Sequence, residues 1–296
     1  MRTAFIEELI VLARANPRIF LVVGDLGYSV VEPFAREFPD RFLNAGVAEQ
    51  NMTGMAAGLA SEGYHVFTYS IGNFPTFRCA EQIRNDIAYH NLPVTVVAVG
   101  GGVAYGSLGY SHHTIQDYAL MRSFPNMLIA APGDPIEVRA CLRYLVDHPQ
   151  PSYLRLGKAG EPVFHKSVPL LQPGKWVRVF KGEKSDRVLL STGGALATAL
   201  NWVRMKSYRK FSVFSMPLWG MNLKKNQIPQ AKRCVKVVTI EDHLKDGGFG
   251  SWFLEALNDE PSGKPIIKTH GLNSMILNKV GSQKNLMEIG GLNQKI

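Results

Sequence analysis

Arg41-Phe42-Leu43-Asn44-Ala45-Gly46-Val47-Ala48-Glu49-Gln50-Asn51-Met52-Thr53-Gly54-Met55-Ala56-Ala57-Gly58-Leu59-Ala60 is the stretch around which the rest of the chain can be arranged. It opens extended, turns at Gly46 and enters a helix carrying Gly54, Ala56, Ala57, Gly58 and Ala60. Small residues three and four apart share one helical face and let another backbone come close. A single carboxylate, Glu49, sits just inside that helix, where the positive end of the helix dipole favours an acid. On this pattern alone, Glu49 reads as a solvated helix start.

Upstream, Thr3 to Ala15 has apolar residues at helical spacing and stops near Asn16-Pro17. Ile19-Phe20-Leu21-Val22-Val23 is a continuous apolar run, as expected of a strand buried on both faces. It runs into Gly24-Asp25-Leu26-Gly27, a turn at a strand's C-terminal end, where ligands bind in open α/β sheets. Asp25 there is either functional or a shaper of the turn.

Downstream, a strand is expected near His65-Val66-Phe67-Thr68-Tyr69, then a long helix from Phe74 to about Asn91. Phe74 and Phe77 lie three apart, a spacing that suits a core face as well as a ligand platform. Val94 to Val99 is a third buried strand, leading into a glycine-rich loop from Gly100 to His113. That loop reads as flexible and site-forming, and His112 and His113 on it are candidate acid/base groups or plain loop histidines. A helix from about Ile115 to Ser123, a strand at Met127–Ala131, a helix at Pro135–Asp147 and a strand at Ser152–Leu156 continue the alternation. Gly157 to about Asp186 is rich in Pro, Gly and Lys and lacks periodicity. A second alternation follows, with strands near Arg187–Ser191, Phe211–Ser215, Val235–Ile240 and Pro265–Thr269. Its helices are expected near Ala195–Lys206, Gly250–Asn258 and Gln283–Ile289. The fold class expected is α/β: two doubly wound, mainly parallel-sheet domains at 1–160 and 187–296, joined by a linker at 161–186.

Composition excludes several classes of protein. At 296 residues, 46% hydrophobic and 19% charged, the chain can bury a large core. No apolar run is long enough to span a bilayer, and Glu7 and Glu8 fall where a signal peptide would be apolar. Cys79, Cys141 and Cys234 are widely spaced, which disfavours a disulfide framework or zinc site and suits the cytoplasm. The net charge of +9 comes without a basic run or an aromatic-interleaved patch, so an anionic small molecule or acidic partner chain explains it better than nucleic acid.

Gly46-Val47-Ala48-Glu49-Gln50-Asn51-Met52 resembles the Gly-(Ile/Val)-Ala-Glu-Gln motif of the transketolase group of thiamine diphosphate enzymes. The resemblance continues through Gln82-Ile83-Arg84, the run from His113 to Met127, Ala131-Pro132-Gly133-Asp134 and Tyr153-Leu154-Arg155-Leu156-Gly157. In the second domain it covers Leu190-Ser191-Thr192-Gly193, Thr239-Ile240-Glu241-Asp242-His243 and Gly247-Gly248-Phe249-Gly250. It implies a pyrimidine-binding domain at 1–160 and a transketolase C-terminal-like domain at 187–296. It also implies that Glu49 hydrogen-bonds a ring nitrogen of the cofactor's aminopyrimidine from a position screened from water. Phe74 and Phe77 would stack on that ring, and Asp25 and Leu26 would line its passage. His112 would contact the reacting carbonyl and hydroxyl groups, and Arg155, Ser29 and Arg78 would hold substrate, Arg155 by its phosphate.

Two departures from the family pattern matter. Gly-Asp-Gly, which with a later Asn anchors the family's metal, is absent, and the chain is too short for a third domain. The resemblance therefore implies a split enzyme in which a separate N-terminal-type subunit brings Mg2+ (or Ca2+) and the diphosphate half of the site. Self-association of the pair would give a heterotetramer. Second, Leu108 stands where the family has an acid that recognises a sugar hydroxyl, and a further family His falls on the glycines at 100–102. The expected reaction is transfer of a two-carbon ketol unit from a ketose phosphate to an aldose-type acceptor, one partner being a modified sugar. The alternatives are a beta-type subunit of a deoxyxylulose-phosphate synthase-like or 2-oxoacid dehydrogenase-like enzyme, or a non-catalytic scaffold.

Overall fold

The computed structural model describes residues 1–292; the expected end of the second domain at 296 lies outside them. The first unit contains α1 (Arg2–Ala15), β1 (Ile19–Val23), α2 (Glu32–Glu37), β2 (Phe42–Asn44), α3 (Glu49–Ser61) and β3 (His65–Ile71). It continues with α4 (Ala80–Gln82), β4 (Val94–Val99), α5 (Asp117–Met121), β5 (Leu128–Ala130), α6 (Pro135–Asp147) and β6 (Ser152–Leu156). The second unit contains β7 (Val177–Phe180), β8 (Lys184–Ser191), α7 (Ala195–Trp202), β9 (Phe211–Ser215), β10 (Leu218–Trp219) and α8 (Ile228–Ala231). It ends with β11 (Lys236–Leu244), α9 (Phe249–Ala256), β12 (Ile266–Leu272) and α10 (Gln283–Ile289).

Two sheets result, in the orders β10-β5-β6-β4-β3-β1-β2 and β12-β11-β8-β9-β7. Every pairing is parallel except β10 with β5 and β7 with β9. Period-two alternation explains the continuous apolar runs. In β4, Val94, Val96 and Ala98 pack with Met52 and Ala56 of α3 and with Ile83 and Ile87. Val97 and Val99 face the opposite way, into the core built with Phe5 and Leu9 of α1 and Val138 and Leu142 of α6. Both faces are covered, so the strand is apolar except for Thr95, whose buried hydroxyl is hydrogen-bonded with His65 and Ser152.

Three details differ from the sequence reading. The stretch read as linker contains β7, an edge strand paired antiparallel with β9. The helix expected from Phe74 begins later: Phe74 N–H bonds back to Ile71 O in a turn, and the helical run spans 77–88. Pro75, which has no N–H, and Gly72 lie in that turn, and Phe74 is thereby placed before the helix rather than on it. Third, β10 leaves the second unit and pairs with β5 of the first, a strand of two residues that no periodicity could reveal.

Through β10 the two units share one aromatic core. The ring of Trp219 lies 5.2 Å from those of Tyr118, Phe249 and Trp252, and its Nε1 donates to Thr192 Oγ1 at 3.0 Å. Among the described residues, no helix is long and apolar enough to cross a membrane. Trp219→Ala would open a cavity at this seam, and destabilisation of about 3–5 kcal/mol is expected from a buried large-to-small change. A urea denaturation midpoint unchanged by that substitution would show that the seam does not hold the fold.

Candidate functional site

A parallel sheet brings the C-terminal ends of its strands to one edge. Gly24 follows β1, Ser70 and Ile71 end β3, and Gly100 follows β4. Glu49 opens α3 beside them. Its side chain turns inward, is 1% exposed, and accepts a hydrogen bond from Ser70 Oγ at 3.3 Å. Arg78 Nη1 donates to the other carboxylate oxygen at 2.5 Å. The Arg78 guanidinium carbon also lies 4.7 Å from the centroid of the Phe74 ring. Phe74 meets His112 edge-on, with ring centroids 5.3 Å apart. A Cβ on Gly24 would stand 3.5 Å from both Glu49 Cγ and Ser70 Oγ, in ordinary contact with them, which places Gly24 against the carboxylate.

Glu49, Phe74, Arg78 and His112 thus form one linked group. His112 is half-buried, with Nδ1 3.0 Å from Ser111 Oγ. Its neighbour His113 is a core residue whose imidazole is pushed down in pKa by burial. The remaining candidates sit apart. Phe77 turns its ring outward and is 45% exposed. Asp25 shapes the turn after β1: Asn44 Nδ2 and Tyr28 Oη both donate to its Oδ1, at 3.0 and 3.1 Å. Asp25 and Ser29 hold φ of 53° and 63°, in the left-handed region. Ser29 N–H donates to Glu32 Oε1 at 2.7 Å, and Leu26 is half-exposed between them. Ser70 and Asn44 were not singled out from the sequence. Neither carried a distinguishing signal: Ser70 shares its strand with His65, Thr68 and Tyr69, so a polar group there does not stand out.

A second polar group lies deeper. Arg155 on β6 is 3% exposed, and all three of its guanidinium nitrogens donate to protein acceptors. Nε reaches Asp117 Oδ2 at 2.8 Å, Nη1 reaches Asp242 Oδ1 at 2.6 Å, and Nη2 reaches Thr114 O at 2.7 Å. Burial works against the charge, but Asp117 and Asp242 more than offset it and hold Arg155 firmly protonated. The glycine run after β4 makes room for this group. A Cβ on Gly101 would stand 2.7 Å from Arg155 Cζ, and one on Gly102, at φ 66°, would stand 2.6 Å from Asp242 Oδ2. The start of the loop expected to be flexible, residues 100–104, is therefore packed and buried, because close approach demands glycine there, while Ser107, Leu108, Tyr110 and Ser111 further along are exposed.

Comparison with known proteins gives the family. Residues 1–160 match the family model for the transketolase pyrimidine binding domain. The chain is 33% identical over 272 residues to an apulose-4-phosphate transketolase subunit of Phocaeicola vulgatus, covering 90% of this chain and 86% of that protein. The chain belongs to the transketolase family. As a transketolase-family chain it also resembles, with 31% identity and a TM-score of 0.82, a solved structure described as a split gene transketolase, inactive beta4 tetramer. That likeness covers 98% of this chain and 93% of the other. A 1-deoxy-D-xylulose-5-phosphate synthase of Clostridium perfringens is 30% identical over 98% of this chain, which spans only 47% of that enzyme.

Here the Arg155 guanidinium is answered by two carboxylates and a carbonyl and ties β6, α5 and β11 together, whereas the resemblance implies a phosphate-binding role for it. Among the described residues, no three His, Cys, Asp or Glu side chains converge as a metal site needs. Arg155→Met would leave two buried carboxylates unanswered, with an expected loss of about 3–5 kcal/mol of stability. Chemical denaturation measures that loss. A variant as stable as the wild type, but weakened in binding a sugar phosphate, would restore the substrate role.

Proposed function

We propose that this chain is the pyrimidine-binding half of a ketol-transferring thiamine diphosphate enzyme. In this reading a separate subunit supplies the diphosphate and metal half of the active site. One observation carries the proposal: a carboxylate shielded from water lies beside a half-buried aromatic ring, and a flat N–H-donating group, the Arg78 guanidinium, is held by both. The residues present suit the aminopyrimidine end of the cofactor, which is likewise flat and rich in nitrogen. Bound thiamine diphosphate supplies a nucleophilic carbon and an electron sink for breaking the bond beside a carbonyl.

In this reading the chain's own residues have distinct tasks. Glu49, shielded from water, would hold a ring nitrogen of the cofactor through a shared proton, with Ser70 Oγ orienting the carboxyl. Phe74 offers the ring a flat apolar surface. His112, edge-on to Phe74, stands where it can exchange a hydrogen bond with the reacting oxygen of the substrate. The turn carrying Asp25, Leu26 and Ser29 borders the approach, and Leu108, 55% exposed, replaces an acid at the mouth with an apolar side chain. A site with fewer hydroxyl-reading groups suits a modified sugar as donor or acceptor. The name of the Phocaeicola vulgatus relative, which specifies apulose-4-phosphate, supports that class of substrate.

The division between two chains draws support from two sides. Gly54 and Gly58 of α3 have open space where a Cβ would stand, so this helix presents a bare backbone outward. A relative described as an inactive beta4 tetramer supports the need for a second kind of subunit. The test is reconstitution with a partner chain carrying Gly-Asp-Gly, thiamine diphosphate, magnesium, a ketose phosphate and an aldose acceptor. Ketol transfer is expected from the pair and not from this chain alone. Glu49→Gln in the pair is expected to lower kcat by about 10²–10⁴-fold, the range for losing a positioned proton-transfer group. Full activity without the partner would overturn the shared site, and pyruvate decarboxylation in place of ketol transfer would favour the synthase-like alternative.

A further inference from the structure

Arg78 already does to Glu49 and Phe74 what an aminopyrimidine would have to do. Its Nη1 donates to Glu49 Oε2 at 2.5 Å while its guanidinium carbon sits 4.7 Å from the Phe74 ring centroid. A guanidinium is planar and delocalised, presents N–H donors in its plane and stacks on aromatic faces. A flat heterocycle bonded to Glu49 and stacked on Phe74 would need the same space. We infer that Arg78 is an internal occupant of the pyrimidine subsite, a gate that must swing aside before the cofactor's ring can enter. This inference rests on the function proposed above.

The burial of the two partners explains why such a gate would exist. Glu49 is 1% exposed, and a buried carboxylate without a partner is costly. Arg78 satisfies it until a ligand does. Arg78 itself is 45% exposed, so its side chain can leave toward solvent without dismantling the core. It lies in the first turn of the helical run 77–88, next to the turn that carries Phe74, and the outward-facing Phe77 precedes it. The exchange is non-covalent: the guanidinium leaves Glu49, a proton taken up from solvent is shared between the carboxyl and the ring nitrogen, and the stacked surface is kept. Arg78 therefore regulates access to the subsite, which differs from the substrate-holding role that the family resemblance implies for it.

The full-length chain alone can test this, because the aminopyrimidine end of the site lies within it. Isothermal titration with 4-amino-5-hydroxymethyl-2-methylpyrimidine, which carries no diphosphate, reads the subsite directly. A gate closed about nine-tenths of the time weakens apparent affinity about tenfold, so Arg78→Met is expected to bind the probe about tenfold more tightly than the wild type. Arg78→Ala should bind it equally well, and millimolar guanidinium should then compete with the probe in that variant and not in the wild type. Equal or weaker binding by Arg78→Met overturns the gate. If that variant does not fold, Arg78→Lys takes its place, since an ammonium keeps the charge but not the flat face. It should bind the probe at least about threefold more tightly than the wild type, between open and gated, and no gain there overturns the gate equally. Tight binding that is lost in Arg78→Met/Glu49→Gln is what the proposed function requires. Binding in no variant, or binding indifferent to Glu49, overturns the proposed function and the gate with it.

Discussion

A guanidinium taken out of water has to be answered by charge, and the two sheets of this molecule are arranged around one that is. Arg155 projects from β6, Asp117 opens α5 in the same unit, and Asp242 comes from β11 of the other. Arg155 and Asp117 pair within the first unit, but Asp242 finds its counter-charge only when the two units meet, and a buried carboxylate without one is costly. The triad therefore fixes how the C-terminal edge of one sheet faces that of the other. The aromatic group around Trp219 adds apolar area to the same seam. The glycines at 101 and 102 are part of this constraint, since a side chain at either would collide with a member of the triad.

With the seam fixed, the edge of the first sheet is left to hold Glu49. A first-turn acid ordinarily points to solvent and gains a little from the helix dipole. Here the helix start is pressed against the ends of β1 and β3, so the side chain has nowhere to go but inward. Ser70 supplies one hydrogen bond and Arg78 an ion pair. The carboxylate is thus both inaccessible to water and within reach of one exposed side chain. A group of that kind is poor as a structural anchor and well suited to exchanging one hydrogen-bonding partner for another.

Much of the fold was legible in the chain because its strands are buried on both faces. β1, β4, α6, β6, β9 and α10 have the limits that the apolar runs and helical spacing predict. What escaped notice had no periodic signal. β7 lies in a stretch rich in Pro, Gly and Lys, and β10 is two residues long. Phe74 and Phe77 look equivalent at their spacing, yet the turn at Gly72 to Pro75 sends Phe74 toward His112 and leaves Phe77 in solvent. His112 and His113 are adjacent and alike in sequence, and only their packing separates a site-facing ring from a core one.

The order of strands and helices and the α/β class followed from the sequence by itself, since burial on both faces is a local property, and Glu49 was singled out by the resemblance of the motif around it to a family motif. The partners of each charge did not. Arg155 and Asp242 are separated by 87 positions, and Glu49 and Arg78 by 29, so no local pattern links either pair. Whether a guanidinium meets a substrate or a carboxylate depends on which strand ends are brought together. Only the tertiary structure decided that Arg155 is a tie between two units and that Arg78 rests on Glu49.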